Sequence, residues 1–292
     1  MERKTKPRHY IEAVLIYALP WLLRPLPFAW RVKIGGAILG WAIRAIGGLR
    51  RRIIDNLTLI YPAMPAREKR ALMRRITRHI GRGFIEIFYT EDLYTSLTDV
   101  QIRPGALAEI AAAHKAGQPV IMVSGHFGQW EAVRVALKAE GLRSAAVYKP
   151  SKNPIFERRF AKVLAIGGAG VFPIGPAGMR PMLKHLRGGG IVSILLDQRV
   201  ADGEIIDFMG QPALTSTAIV KLALKTGALV VPTYGRLMPD GKTEVIIERS
   251  VPQADPIAMQ QAINDSLSAQ VFAHPEQWYW LHNRWARPDL QN

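Results

Sequence analysis

The sequence predicts an α/β fold: a central parallel or mixed sheet flanked by helices, preceded by a membrane-associated helical segment. Three observations predict it. From about residue 105 to 272, short apolar runs of strand length alternate with stretches of helical periodicity. The chain has 292 residues and is 49% apolar, which suits one large domain with a sizeable core and excludes disorder and low complexity. Half of the net charge of +16 falls within residues 1–60, where eleven Lys/Arg face three Asp/Glu beside Trp21, Trp30 and Trp41. So large an excess calls for an anionic partner: nucleic acid, a membrane surface or a phosphorylated substrate. Basic, apolar and Trp-bearing together favour the membrane interface. No recognised nucleic-acid-binding motif is present, so no nucleic acid is expected.

Residues 1–50 form the first unit, and 51–292 the second. In the first, a basic start (Arg3 to Arg8) precedes apolar residues 13–23. A signal peptide would need a small-x-small cleavage site; Arg24, Pro25 and Pro27 stand there instead. A spanning helix needs about 20 apolar residues, and this run is interrupted by Pro20 and ended by Arg24. The favoured reading is a pair of helices, about 10–23 and 30–48, that lie on or dip into an anionic leaflet. Cations on both flanks keep them on the cytoplasmic side. The competing reading is two ordinary core-packing helices.

In the second unit, residues 66–90 read as a basic amphipathic helix with Leu72, Ile76, Ile80 and Phe84 at i, i+4 spacing. Residues 105–116 read as another helix. The run Pro119–Ser124 (PVIMVS) is short and apolar, a buried strand. A helix follows over Trp130–Ala139, a strand over Ser144–Tyr148 and a helix over Pro154–Leu164. Val171–Ile174, Ile191–Leu196, Leu229–Tyr234 and Glu244–Glu248 read as further strands. Helices fit at about 177–187, 214–226 and 256–272.

Chemistry in such sheets gathers where strands end. The first strand ends in Ser124-Gly125-His126-Phe127-Gly128-Gln129-Trp130-Glu131. Five steps along one helix would turn His126 and Glu131 about 140° apart. With His126 in the Gly-flanked turn and Glu131 in the first helical turn, the carboxylate could fold back onto the imidazole. A helix N-terminus also favours the neutral ring, poised as a base. The pair suits removal of a proton from a hydroxyl. As a bare pattern this spacing is common, and an ordinary structural pair is the competing reading. There is no cysteine and no G-x-S-x-G elbow, so a covalent acyl-enzyme has no evident nucleophile. His126, His185, His274 and His282 are far apart and in no ligand spacing, so neither metal nor cofactor is expected.

The block Gly125-His126-Phe127-Gly128-Gln129-Trp130-Glu131 resembles the signature of the lysophospholipid acyltransferase superfamily: a His, four residues, then an acid. It is most similar to the late acyltransferases of lipid A biosynthesis, the lauroyl and myristoyl transferases. Four more blocks agree, in the family's order: Arg51 to Leu57 with Tyr61-Pro62; Tyr148 to Pro154; Asp197-Gln198 with Gly210 to Ala213, Thr215 and Thr217; and Pro275 to His282 with Arg284-Trp285. The resemblance implies a glycerolipid-acyltransferase-like fold and residues 51–292 as the acyltransferase domain. It also implies transfer from an acyl-carrier-protein thioester to a lipid hydroxyl at the cytoplasmic face of the bacterial inner membrane.

On that reading His126 is the general base and Glu131 its orienting partner. The leaving thiolate needs little acid help, because thiols are far more acidic than alcohols. Backbone N–H groups of Phe127, Gly128 and Gln129 at the helix start are candidate oxyanion donors. A phosphorylated lipid acceptor needs cations, and Lys149, Lys152, Arg158 and Arg159 cluster after the second strand. Phe156-Glu157-Arg158-Arg159 resembles the superfamily's Phe, two residues, Arg pattern for acceptor phosphate, which points to Arg159; a solvated helix face is the competing reading. The family usually has Arg where Lys149 stands, and Asn283 replaces another family Arg. Asp197 and Gln198 end a strand, a position that favours the site; a turn or capping role competes for Asp197. A loop containing Arg199, Asp202 and Gly203 follows, over the site, and Thr215 to Thr217 suit a helix cap. Trp278, Trp280 and Trp285 fit either a core or an acyl-chain contact, with the core favoured. Other lipid acceptors, among them lysophospholipid, aminolipid and glycolipid, and a non-catalytic membrane-surface protein of the same fold remain as alternatives.

Overall fold

A computed structural model describes residues 5–97, 100–102 and 107–285. The expected cations Arg3 and Lys4, and the first residues of the helix expected from 105, lie outside them. Five helices come first: α1 (Pro7–Leu23), α2 (Phe28–Ala45), α3 (Gly47–Ile60), α4 (Ala66–Phe88) and α5 (Thr90–Ser96). The α/β part then runs β1 (Gln101–Ile102), α6 (Leu107–Lys115), β2 (Val120–Ser124), α7 (Glu131–Ala139), β3 (Ser144–Tyr148), α8 (Pro154–Ala165), β4 (Gly168–Pro173), α9 (Pro176–Arg187) and β5 (Ile191–Leu195). It closes with β6 (Glu204–Phe208), β7 (Gln211–Thr215), α10 (Ala218–Thr226), β8 (Leu229–Leu237), β9 (Thr243–Ile247) and α11 (Pro256–Ala273).

Seven strands form one sheet in the order β1-β9-β8-β2-β5-β3-β4. The strand β2 lies between β5 and β8, parallel to both, and all five of its residues are buried. Only the β8–β9 pair is antiparallel, so the sheet is mixed. Alternate residues of β2 feed opposite cores, as strand geometry requires. Met122 packs with Ile110, Val133 and Leu137 under α6 and α7. Ile121 and Val123 pack with Met182, Val220 and Ile263 under α9, α10 and α11. A third core joins α3 and α4 to the C-terminal segment: Ile53, Leu57, Leu72 and Ile76 surround Trp278 and Trp280, both fully buried. The Asn56 amide donates to the carbonyls of Trp280 (2.9 Å) and His282 (3.0 Å), which ties the Arg-rich block to the Trp block.

The loop expected over the site, with Arg199, Asp202 and Gly203, is irregular as expected and leads into a hairpin, β6–β7, turned by Met209 and Gly210 at φ 56° and 76°. It is pinned to α11, where the Asn264 amide donates to the Asp207 carbonyl and Ser268 Oγ accepts from the Met209 N–H. Thr215 lies in β7, and Thr217 makes no side-chain cap; Ser216 Oγ accepts from the Ala218 N–H instead.

Among the described residues no single helix is long and apolar enough to cross a membrane. The pair α2 and α3 passes the test together but is bent by 88°. The first helix is joined to the α/β part, because Asn153 caps α8 and also donates to the His9 carbonyl and Glu12 Oε2. Helix α2 lies close on α4 through Gly36, Gly40 and Gly81. A Cβ at Gly81 would stand 2.5 Å from the Gly36 carbonyl oxygen. Ala is worth about 1 kcal/mol over Gly in a helix interior, yet Gly81→Ala is expected to destabilise the protein by about 1–3 kcal/mol, since backbone cannot yield as a side chain can. Chemical denaturation measures it; a stabilised variant would show that the helix pair is looser than this.

Candidate active site

The turn after β2 places His126 at the C-terminal end of the central strand. Gly128 adopts φ 56°, and a Cβ there would meet the Gly235 carbonyl. The turn is stitched down: Phe127 N–H donates to Gly125 O (2.7 Å), Gly128 N–H to Gln277 O (2.8 Å) and Gln129 N–H to Gly235 O (2.6 Å). These three donors are therefore spent and are not free for an oxyanion, contrary to expectation. The Phe127 ring is fully buried against Tyr234, and the Gln129 amide donates to the buried Glu86 carboxylate. Neither is among the residues that line the cavity beside His126.

The partner of His126 is Asp197, not Glu131. Asp197 stands two residues past β5, beside β2, and is 4% exposed. Its Oδ1 accepts from His126 Nδ1 at 2.7 Å. Its Oδ2 accepts from the His126 backbone N–H (2.9 Å) and from the Trp278 indole (2.9 Å). Burial opposes the Asp197 charge, but the imidazole and these donors outweigh it and hold the carboxyl at about 2. Burial likewise favours neutral His126, but the Asp197 carboxylate prevails and raises the imidazole above its ordinary value. The ring edge meets Trp130 (5.6 Å) and lies near Tyr279 (5.8 Å). Its other nitrogen, Nε2, meets no protein partner among the described residues.

His126 opens on a cavity of about 950 Å³ lined mostly by apolar side chains. Its floor includes Met122, Ser193 and Ala146, a row of cross-strand neighbours on β2, β5 and β3. Helix α4 contributes His79, Ile80, Gly83, Phe84 and Ile87 to the wall. Burial, with Arg82 nearby, pushes His79 down to about 4, so it is neutral near pH 7. The position of His79 was not singled out from the sequence. Its one signal is its place between Ile76 and Ile80 on the apolar face of the expected helix.

Glu131 opens α7 and lines the cavity, but its Oε2 accepts from Arg134 Nη1 (3.0 Å) and the Tyr94 hydroxyl (3.1 Å). Arg134, 3% exposed, also donates to the Leu164 carbonyl at 2.8 Å. The pair thus ties α7 to α5 and α8. Removing one partner of a buried pair strands the other charge, so Glu131→Ala is expected to cost about 3 kcal/mol of stability. In Glu131→Gln the acidic limb of the pH–rate profile should stay at its wild-type position, because Glu131 does not touch His126. A displaced limb would return Glu131 to the imidazole.

Among the expected acceptor contacts, Lys149 and Gln198 line the cavity, while Lys152, Arg158 and Arg159 are not among its lining residues. Arg159 donates to the Phe88 carbonyl at 3.1 Å and lies over the Tyr17 ring, bracing α8 on the N-terminal helices. Trp278, Trp280 and Trp285 pack in the core, as the sequence favours. Trp278 and Tyr279 also border the cavity. Among the described residues no three His, Asp or Glu side chains converge as a metal would require.

The family model described as bacterial lipid A biosynthesis acyltransferase matches residues 1–287. The chain is 25% identical over 297 residues to a lipid A biosynthesis lauroyltransferase of Escherichia coli (strain K12), covering 97% of this chain and 94% of the relative. It is 24% identical to a lipid A biosynthesis acyltransferase of Haemophilus influenzae, over 89% of this chain and 83% of the relative. It is 26% identical to a phosphatidylinositol mannoside acyltransferase of Mycobacterium tuberculosis, over 92% of this chain and 87% of the relative.

Proposed function

Because the chain belongs to the bacterial lipid A biosynthesis acyltransferase family and is an acyltransferase, we propose that it moves a fatty acyl chain from an acyl-carrier-protein thioester to a hydroxyl of a phosphorylated lipid A precursor. This is a late acylation in lipopolysaccharide biosynthesis, carried out at the cytoplasmic face of the bacterial inner membrane by a peripheral enzyme. One observation carries the reading: an imidazole with one nitrogen held by a buried carboxylate and the other open to an apolar cavity. His126 Nε2 takes the proton of the acceptor hydroxyl as its oxygen attacks the thioester carbonyl. A C–O bond forms and the carbonyl electron pair moves onto oxygen. Its return breaks the C–S bond, and the departing thiolate takes the proton from the imidazolium. Asp197 fixes the tautomer and stabilises that cation.

Gln198, beside Asp197 on the cavity wall, is proposed as an oxyanion donor in place of the spent backbone groups. Lys149, which lines the cavity as Arg199 does, is proposed to meet an acceptor phosphate. The apolar walls suit an acyl chain. No cofactor enters this scheme. The mannoside relative favours a second acceptor class, a glycolipid.

The test is an acyl-transfer assay with acyl-carrier-protein thioesters. A tetraacylated lipid A precursor bearing the inner sugar acid is run beside lysophospholipid and a phosphatidylinositol mannoside. A gain of one acyl mass on the precursor, lost in His126→Ala, is expected. A gain on another acceptor alone would keep the mechanism and replace the acceptor. No gain on any would overturn the reading.

A further inference from the structure

Where α2 ends over α4, three guanidinium groups converge. Arg44 Nη1 donates to Thr77 Oγ1 at 2.7 Å. On α4, Thr77 lies between Arg74 and Arg78, which are four residues apart and so share one face. Arg74 and Arg78 are exposed, and Arg44 is half-buried. Among the described residues none of the three is ion-paired, although Arg31, Arg82, Arg134 and Arg236 each have a carboxylate. Burial, then the charges of Arg78 and Arg74, lower the Arg44 pKa, so the cations repel one another with no anion between them.

The same corner leaves apolar side chains exposed among the described residues: Ile38 (43%), Trp41 (66%) and Ile46 (55%), the last at the 88° bend between α2 and α3. An acidic protein surface would satisfy the cations and could pack a Trp. The exposed apolar side chains, however, extend well beyond this corner, to Trp21 and Leu22 on α1 and Trp30 on α2, the spread a lipid leaflet covers. A phospholipid surface offers both, phosphate at the headgroup level and hydrocarbon beneath it. The residue after Arg78 on α4, His79, is the first of those that wall the cavity, which continue to Ile87.

We propose that Arg44, Arg74 and Arg78 form a binding site for the phosphate of an anionic phospholipid headgroup, which seats the α2–α3 corner in the leaflet and sets the cavity beside the lipid surface. This rests on the reading of the protein as a membrane-surface enzyme and names the contact that holds it there.

The full-length protein is incubated with vesicles of phosphatidylglycerol and phosphatidylcholine, or of phosphatidylcholine alone, and the bound fraction is read by co-flotation. Both substituted arginines in Arg74→Gln/Arg78→Gln are exposed, and equal thermal melts confirm its fold. Each juxtamembrane cation is worth roughly a five-fold change in binding, so the double variant should bind the anionic vesicles on the order of 25-fold more weakly. A charge-matched control on α9, Lys184→Gln/Arg187→Gln, should lose no more than a few-fold. Equal losses in the two variants would mean diffuse charge attraction and overturn the site. Intact vesicle binding with lost binding of acyl carrier protein would give the arginines to a protein partner and overturn it too. Wild-type protein that ignores anionic vesicles would sink the membrane-surface reading itself, together with the site.

Discussion

Replacing His126 with alanine is expected to lower kcat for acyl transfer by about 10²–10⁴-fold, the usual worth of a positioned acid–base group. Among the described residues on the cavity wall, neither Glu131 nor His79 can replace it. Glu131 is committed to Arg134 and Tyr94, and His79 has its pKa pushed to about 4, too low for an effective base. The loss should fall on kcat and kcat/KM alike, because the proton moves only as the transition state forms. Alanine also leaves the Asp197 charge buried with two donors in place of three, so the variant will be somewhat less stable. His126→Gln separates the two effects. Its amide can still donate toward Asp197 but takes no proton at neutral pH, so it should regain stability and stay inactive. An active glutamine variant would remove His126 from the mechanism.

Much of the fold was legible because its elements advertise themselves. The run Val120–Ser124 is apolar and short because β2 is buried on both faces, and α4 shows its 3.6-residue period because only one face packs. The hairpin β6–β7 hid for a physical reason. Its turn is Met209-Gly210 rather than an Asn-Gly or Asp-Gly pair, and a Met at positive φ is not a turn signal. The strand β1 has two residues and no pattern to read. Helix α3 hid behind its run of three arginines, Arg50 to Arg52.

The site was half legible. Its location followed from the strand end and the Gly-flanked His126. The partner did not, because spacing along the chain favours the near acid, Glu131, whereas the sheet places β5 directly beside β2 and brings Asp197 in from 71 residues away. Contact across parallel strands leaves no local trace in sequence. The oxyanion donors failed for a similar reason. A backbone N–H at a helix start is free only if nothing else reaches it, and here Gln277 and Gly235 do.

Asp197→Asn is the sharpest test of that geometry. The Oδ2 position receives two N–H donors, the His126 backbone and the Trp278 indole, so only oxygen can occupy it. The asparagine must therefore place its NH₂ where Oδ1 stood, facing His126 Nδ1. An imidazole that accepts at Nδ1 carries its proton on Nε2, and the lone pair that should take the acceptor's proton is gone. The variant should be well folded, and kcat should fall by about 10²–10⁴-fold. The pH dependence has a determined sign. In the wild type the carboxylate raises the His126 pKa, so activity needing the neutral ring rises with pH through a limb above 6.5. Without that charge only burial acts on the ring, and the limb of the residual kcat/KM should move to lower pH. Stability follows the same pair. Asp197, held at about 2 against 3.8 for the free group, contributes stability that is present above 3.8 and lost as pH falls toward 2. His126 contributes below 6.5, and that share is lost as pH rises through its raised value. The wild-type advantage over Asp197→Asn in unfolding free energy should therefore be greatest between those limits. A limb that stays in place, with wild-type kcat, would mean that Asp197 only braces the strand end and that the base is oriented by something else.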